Sequence, residues 1–139
     1  MRILVLSDLH LEVRQISLPE VAADLVVLAG DIDTGAAGIE WAKGTFHVPV
    51  LYVAGNHEYY DGEFNQVQRA LRDAAAGSDV MVLDCQAWFR DSIRFLGCSL
   101  WTDYTLKAQE SRADVIERSR RFNPDHRCIR MGEQTFSPE

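Results

Sequence analysis

The chain has 139 residues, of which 47% are hydrophobic and 25% charged, the composition of one globular domain with its own core. A formal net charge of −7, with nothing resembling a basic stripe, excludes a general nucleic-acid binder. No apolar run approaches the roughly 20 residues that cross a bilayer, so no membrane partner is expected.

The first apolar run, Ile3–Leu6 behind Arg2, is too short for a signal peptide and meets Ser7 and Asp8 at once. A cytoplasmic protein is therefore expected. The three cysteines, Cys85, Cys98 and Cys128, show no C-x-x-C spacing and are expected to be reduced, buried or inert thiols. Residues 2–6 are continuous β-branched and leucine residues, the pattern of a strand buried on both faces. Residues 11–20 mix charged and apolar residues and predict a connecting loop. A second buried strand is expected at 24–29. Asp33 and Thr34 are then placed to cap a helix over 36–46, with Ile39, Ala42 and Phe46 on one face. Pro49 ends that element, and 50–54 is the third strand. Strand, helix and strand at this spacing imply a right-handed crossover and a parallel sheet.

Phe64, Val67, Leu71 and Ala74 or Ala75 mark a helix over 62–76, with Gly77 as its stop. A fourth strand is expected at 80–83, and 87–90 with 93–97 reads as a hairpin around Asp91 and Ser92. Residues 105–122 predict a helix whose mixed charges form a solvated face, followed by a loop-like stretch through Asp125 and His126. Ser137-Pro138-Glu139 has the pattern of a helix start, which suggests a fragment or a chain shortened relative to its relatives. Trp41, Trp88 and Trp101 are assigned to packing, and His47 and His126 to structural or surface roles.

Three strands end in the same way. Ile3–Leu6 runs into Ser7-Asp8-Leu9-His10, Leu25–Ala29 into Gly30-Asp31-Ile32-Asp33, and Val50–Ala54 into Gly55-Asn56-His57-Glu58. Folding needs no such polar bunching, whereas a crevice at the ends of parallel strands does. Carboxylates, imidazoles and a carboxamide without a thiolate favour divalent ions such as Mn, Fe, Zn or Mg. Asp8 and His10 can point at one cation, Asp31 can bridge two, and Asn56 offers an amide oxygen to the second. His57 is placed to protonate a leaving oxygen.

Asp8-Leu9-His10, Gly30-Asp31 and Gly55-Asn56-His57-Glu58 resemble the first three motifs of the calcineurin-like metallophosphoesterases. Leu100–Tyr104 and Asp125–Arg127 resemble one bacterial branch of that family. The resemblance implies an α/β fold, a β-sandwich flanked by helices, of which this chain carries the N-terminal part: a parallel βαβ sheet plus a hairpin. It implies that Asp8 and His10 bind a first divalent cation, that Asp31 bridges and that Asn56 binds a second. His57 then contacts a phosphate-ester substrate as the acid, with Glu58 orienting it. The family pattern continues with a lone histidine and a Gly-His-x-His motif, and neither occurs in this sequence.

Two functional expectations follow. One is a phosphoesterase that hydrolyses a phosphomonoester or phosphodiester by metal-activated water. The other is a truncated, weak or inactive domain acting as a metal-binding or interaction module, with a second chain covering its incomplete sheet. A third reading, in which Asp31 is the nucleophile of an aspartyl-phosphate phosphatase, is excluded by Thr34 where that motif has glycine, and it leaves Asp8, His10, Asn56 and His57 unused.

Overall fold

The computed structural model describes residues 1–106 and 110–137. Its centre is a four-stranded sheet in the order β1-β2-β3-β4, formed by β1 (Ile3–Leu6), β2 (Leu25–Ala29), β3 (Val50–Val53) and β4 (Val80–Val82). Every pairing is parallel, with Leu6 opposite Leu28 and Ala29 opposite Val53, so the strands finish at one edge.

Alternation along β2 and β3 divides the core in two, because successive side chains of a strand point to opposite faces. Val26, Leu28, Val50 and Tyr52 face one side, where Ile39 and Ala42 of α1 (Ala37–Thr45) and Val67, Leu71 and Ala75 of α2 (Phe64–Ala75) complete a cluster. Leu25 and Leu51, with Val27 and Val53, face the other side, where Leu83, Trp88 and Phe95 meet them. Trp88 and Phe95 lie opposite each other on the hairpin of β5 (Gln86–Arg90) and β6 (Ile93–Gly97). Full burial of side chains of this size is worth roughly 1.5–3 kcal/mol each, which makes the sheet the rigid part of the molecule.

The strand at 2–6 departs from expectation. Leu4 and Leu6 pack on the helix side, but Ile3 is 40% and Val5 61% exposed. β1 is an edge strand, and the hairpin covers β2 and β3 without reaching it. Its apolar run reads like that of a central strand because the helix side is covered and the other side remains apolar.

The cap expected from Asp33 and Thr34 is also corrected. α1 begins at Ala37, and no side chain caps it. Asp33 instead folds back on the next residue, its Oδ1 accepting the Thr34 N–H at 2.7 Å. α2 is capped by Glu63, whose carboxylate accepts the Gln66 N–H at 2.9 Å. Gly77, at φ +72°, follows its end.

Beyond the hairpin, α3 (Arg112–Phe122) starts later than the expected 105, and 107–109 lie outside the described residues. Ile116 is its buried residue, so the charged face is solvated as expected. The loop-like stretch after it is instead a helical turn, α4 (Asp125–Cys128), and it leads to a second short hairpin of β7 (Arg130–Met131) and β8 (Gln134–Thr135). The helix start expected at 137–139 involves Pro138 and Glu139, which lie outside the described residues. No helix among the described residues is long and apolar enough to cross a membrane.

Candidate active site

The loops leaving β1, β2 and β3 lie side by side and are stitched by main-chain hydrogen bonds. Asp8 N–H donates to Gly30 O at 3.0 Å, His10 N–H to Asp31 O at 3.1 Å and Leu11 N–H to Ile32 O at 2.9 Å. Asp8, His10 and Asp31 all adopt left-handed backbone, at φ +53°, +48° and +55°. Non-glycine residues avoid that region unless the surroundings hold them there, and such strain clusters at functional sites. The result is that Asp8, His10 and Asp31 each offer a ligand atom, all within 4.8 Å of one another.

Two glycines let the second and third loops approach. A Cβ on Gly30 would stand 3.0 Å from Gly55 Cα, and one on Gly55 would run into the Asp31 carboxylate. That carboxylate is anchored in turn, since Asp31 Oδ1 accepts the His57 N–H at 2.9 Å.

Glu58 occupies the centre of this junction and is fully buried. One oxygen accepts from Gly55 N–H at 2.7 Å and Asp31 N–H at 3.1 Å. The other accepts from Ile32 N–H at 2.9 Å and the Tyr52 hydroxyl at 2.8 Å. Burial pushes its carboxyl above the ordinary value, and the four donors pull the other way. Burial and the neighbouring Glu58 charge push the Tyr52 phenol up as well, keeping it a donor. Glu58 therefore locks the two loops together. His57 and Glu58 fall in one 3-10 turn, His57–Tyr59, where successive side chains diverge by about 120°. The His57 ring turns outward, and its Nδ1 lies 2.9 Å from Glu12 Oε1.

Glu12 is a residue that the sequence did not single out. The same Oε1 lies 3.2 Å from His10 Nδ1, so one carboxylate oxygen spans both imidazoles. Burial alone would raise the Glu12 carboxyl, but hydrogen bonds from His57, its own main chain and His10, with the charge of His10, hold it below the ordinary value. The two rings meet edge to face, with centroids 4.4 Å apart, and Tyr60 stacks on His57 at 4.3 Å.

Asp125 is the second addition to the site, a residue that the sequence placed in a family-like stretch without giving it a role. Asn56 donates its amide nitrogen to Asp125 Oδ1 at 2.9 Å and to the Tyr60 hydroxyl at 3.0 Å. Tyr60 donates to the same carboxylate oxygen at 2.9 Å. Burial and the Asp125 bond push the Tyr60 phenol up to about 12. With its nitrogen engaged, Asn56 has its amide oxygen left for a cation.

Two openings flank the site. One, of about 340 Å³, runs from Gly55 and Asn56 past Trp101, Tyr104 and Asp125. The other, of about 410 Å³, is lined by Asp8, His10, Arg14 and His57, among others. His126 borders the first but is occupied structurally, 3.0 Å from Phe136 O and 3.1 Å from the Tyr104 hydroxyl. His47 is exposed, as expected.

The sequence agrees with this geometry. The family model for calcineurin-like phosphoesterases matches residues 1–126. The chain belongs to that family. No curated protein matches it. For a calcineurin-like phosphoesterase, the parallel sheet with a separate antiparallel hairpin is a partial form of the expected sandwich. Oxygen and imidazole donors converging from two strand ends suit the divalent cations such phosphoesterases use.

Proposed function

We propose that this chain is a metal-dependent phosphoesterase that hydrolyses a phosphomonoester or phosphodiester. The observation that carries the reading is the convergence of Asp8, His10 and Asp31 within 4.8 Å of one another, each on left-handed backbone. Asp8 and His10 would hold a first cation together with Asp31, and Asn56 would offer its amide oxygen to a second. When bound, the cations supply Lewis acidity and make water a competent nucleophile near neutral pH. Arg14, at the mouth beside His10, adds positive charge where the phosphate enters. His57 gives its proton to the departing alkoxide. Glu58 takes no direct part and holds Asp31 and Gly55 in register.

The test is hydrolysis of p-nitrophenyl phosphate and bis-p-nitrophenyl phosphate with added Mn²⁺, against Asp31→Ala. Mn²⁺-dependent turnover abolished by the substitution supports the reading, and turnover that the substitution leaves unchanged overturns it. A second reading, a domain that binds a cation without turnover, draws on the donor set for the second cation. The resemblance supplies only Asp31 and Asn56 for it, and Asp31 already accepts the His57 N–H. Stoichiometric Mn²⁺ binding with no hydrolysis would select it.

A further inference from the structure

We propose that Glu12 is a positioning residue that fixes the tautomer and orientation of His10 and His57 together. The inference rests on the reading that Asp8, His10 and Asp31 hold a divalent cation.

Glu12 is carried by the turn after His10. Val13 N–H and Arg14 N–H both return to His10 O, at 2.9 and 3.3 Å, a turn that brings the Glu12 carboxylate beside His10 Nδ1. His57 arrives from a different strand end. A single atom, Glu12 Oε1, then lies 2.9 Å from His57 Nδ1 and 3.2 Å from His10 Nδ1. A carboxylate is an acceptor only, so each contact is a hydrogen bond only if Nδ1 carries the hydrogen. In a neutral ring this makes Nε2 the lone-pair atom. A histidine that binds a cation through one nitrogen commonly donates the other to a carboxylate, which sets the ring and raises its basicity. Glu12 gives His10 that partner. It gives His57 the same anchor, leaving Nε2 as the atom that exchanges protons with solvent or substrate.

The arrangement couples the two halves of the proposed site. The cation ligand and the acid share one acceptor, so the loop after β1 sets the ring of the loop after β3. The two rings pack edge to face with centroids 4.4 Å apart, so each Nδ1 reaches the same oxygen.

The experiment uses the full chain, metal-free, at about pH 8, above the ordinary range of a histidine side chain. Long-range ¹H–¹⁵N spectra of wild type, Glu12→Gln and Glu12→Ala assign the tautomers of His10 and His57, with exposed His47 as the internal reference. The expected result is an Nδ1–H tautomer at both in wild type, kept in Glu12→Gln, which still has an acceptor oxygen, and lost in Glu12→Ala. In parallel, Mn²⁺ titration calorimetry is expected to show a Kd weakened about 10–100-fold by Glu12→Ala and less by Glu12→Gln. Nε2–H tautomers in wild type, or tautomers unchanged in a folded Glu12→Ala, overturn the proposal. A drop in the number of cations bound overturns it too, since Glu12 would then be a ligand. Failure of wild type to bind Mn²⁺ at all defeats the cation reading, whereas the tautomers still decide the role of Glu12.

Discussion

No side chain fits between Gly55 and Asp31. A Cβ at residue 55 would collide with the Asp31 carboxylate and come within 2.7 Å of its main-chain nitrogen. The neighbour that would have to yield is backbone held by Glu58, so it cannot move aside cheaply. Gly55→Ala is expected to destabilise by about 1–3 kcal/mol, the usual cost of overpacking. It is also expected to weaken Mn²⁺ binding, because Asp31 is displaced. Urea unfolding with calorimetry checks both, and an unchanged midpoint with wild-type affinity would contradict the close approach.

Glu58 should be the residue least tolerant of an isosteric change. Glu58→Gln places an amide nitrogen against either Gly55 and Asp31 N–H or Ile32 N–H and the Tyr52 hydroxyl. At least one buried donor loses its acceptor, Ile32 N–H in the second placement, at about 1–3 kcal/mol, since the Tyr52 hydroxyl can turn to accept from the amide but the main-chain N–H groups cannot. Tyr52→Phe removes one donor to a carboxylate that keeps the others, and about 1 kcal/mol is expected. Chemical denaturation of the two variants should therefore rank them clearly, with Glu58→Gln the worse.

Asp125→Ala separates the two proposed cation positions. It frees the Asn56 amide and leaves Asp8, His10 and Asp31 untouched. Turnover of bis-p-nitrophenyl phosphate is expected to fall about 10–100-fold, while tight binding of the first Mn²⁺ persists. Equal loss of both would mean that Asp125 supports the whole site and not Asn56 in particular.

Acid should loosen the start of α2. Burial alone would raise the Glu63 carboxyl, but hydrogen bonds from Gln66 and Gly132 N–H hold it below its ordinary value of 4.5. A carboxylate with a lowered folded-state pKa contributes stability above the unfolded value, and that contribution disappears as pH falls through the folded one. Glu63→Gln should thus cost stability at neutral pH and progressively less below 4.5. Thermal melts of both proteins across that range should converge on the acid side, and parallel curves would count against the assignment.

What could be read from the residues alone follows the distance over which each feature is decided. β2 and β3 are continuous apolar runs that stop at polar clusters, so the strands, their parallel pairing and Asp8, His10, Asp31, Asn56 and His57 at one edge were all visible. The exposed side of β1 was not, because nothing local tells an edge strand from a central one. Glu12 lies in a stretch without periodicity, and its importance depends on His57, which is far away in sequence. Asp125 meets Asn56 across 69 positions, a contact no local pattern encodes. β7 and β8, two residues each, are too short to show alternation. Glu58 was expected to orient His57, and its buried carboxylate accepts from the main chain of Asp31, Ile32 and Gly55, a set of partners that no local pattern encodes.

The left-handed backbone at Asp8, His10 and Asp31 has an evolutionary consequence. Glycine would sit at any of these positions with less strain, by about 1 kcal/mol. Selection for stability alone would therefore tend to erase the three residues. Their joint presence in such unfavourable conformations is a cost that folding alone does not explain.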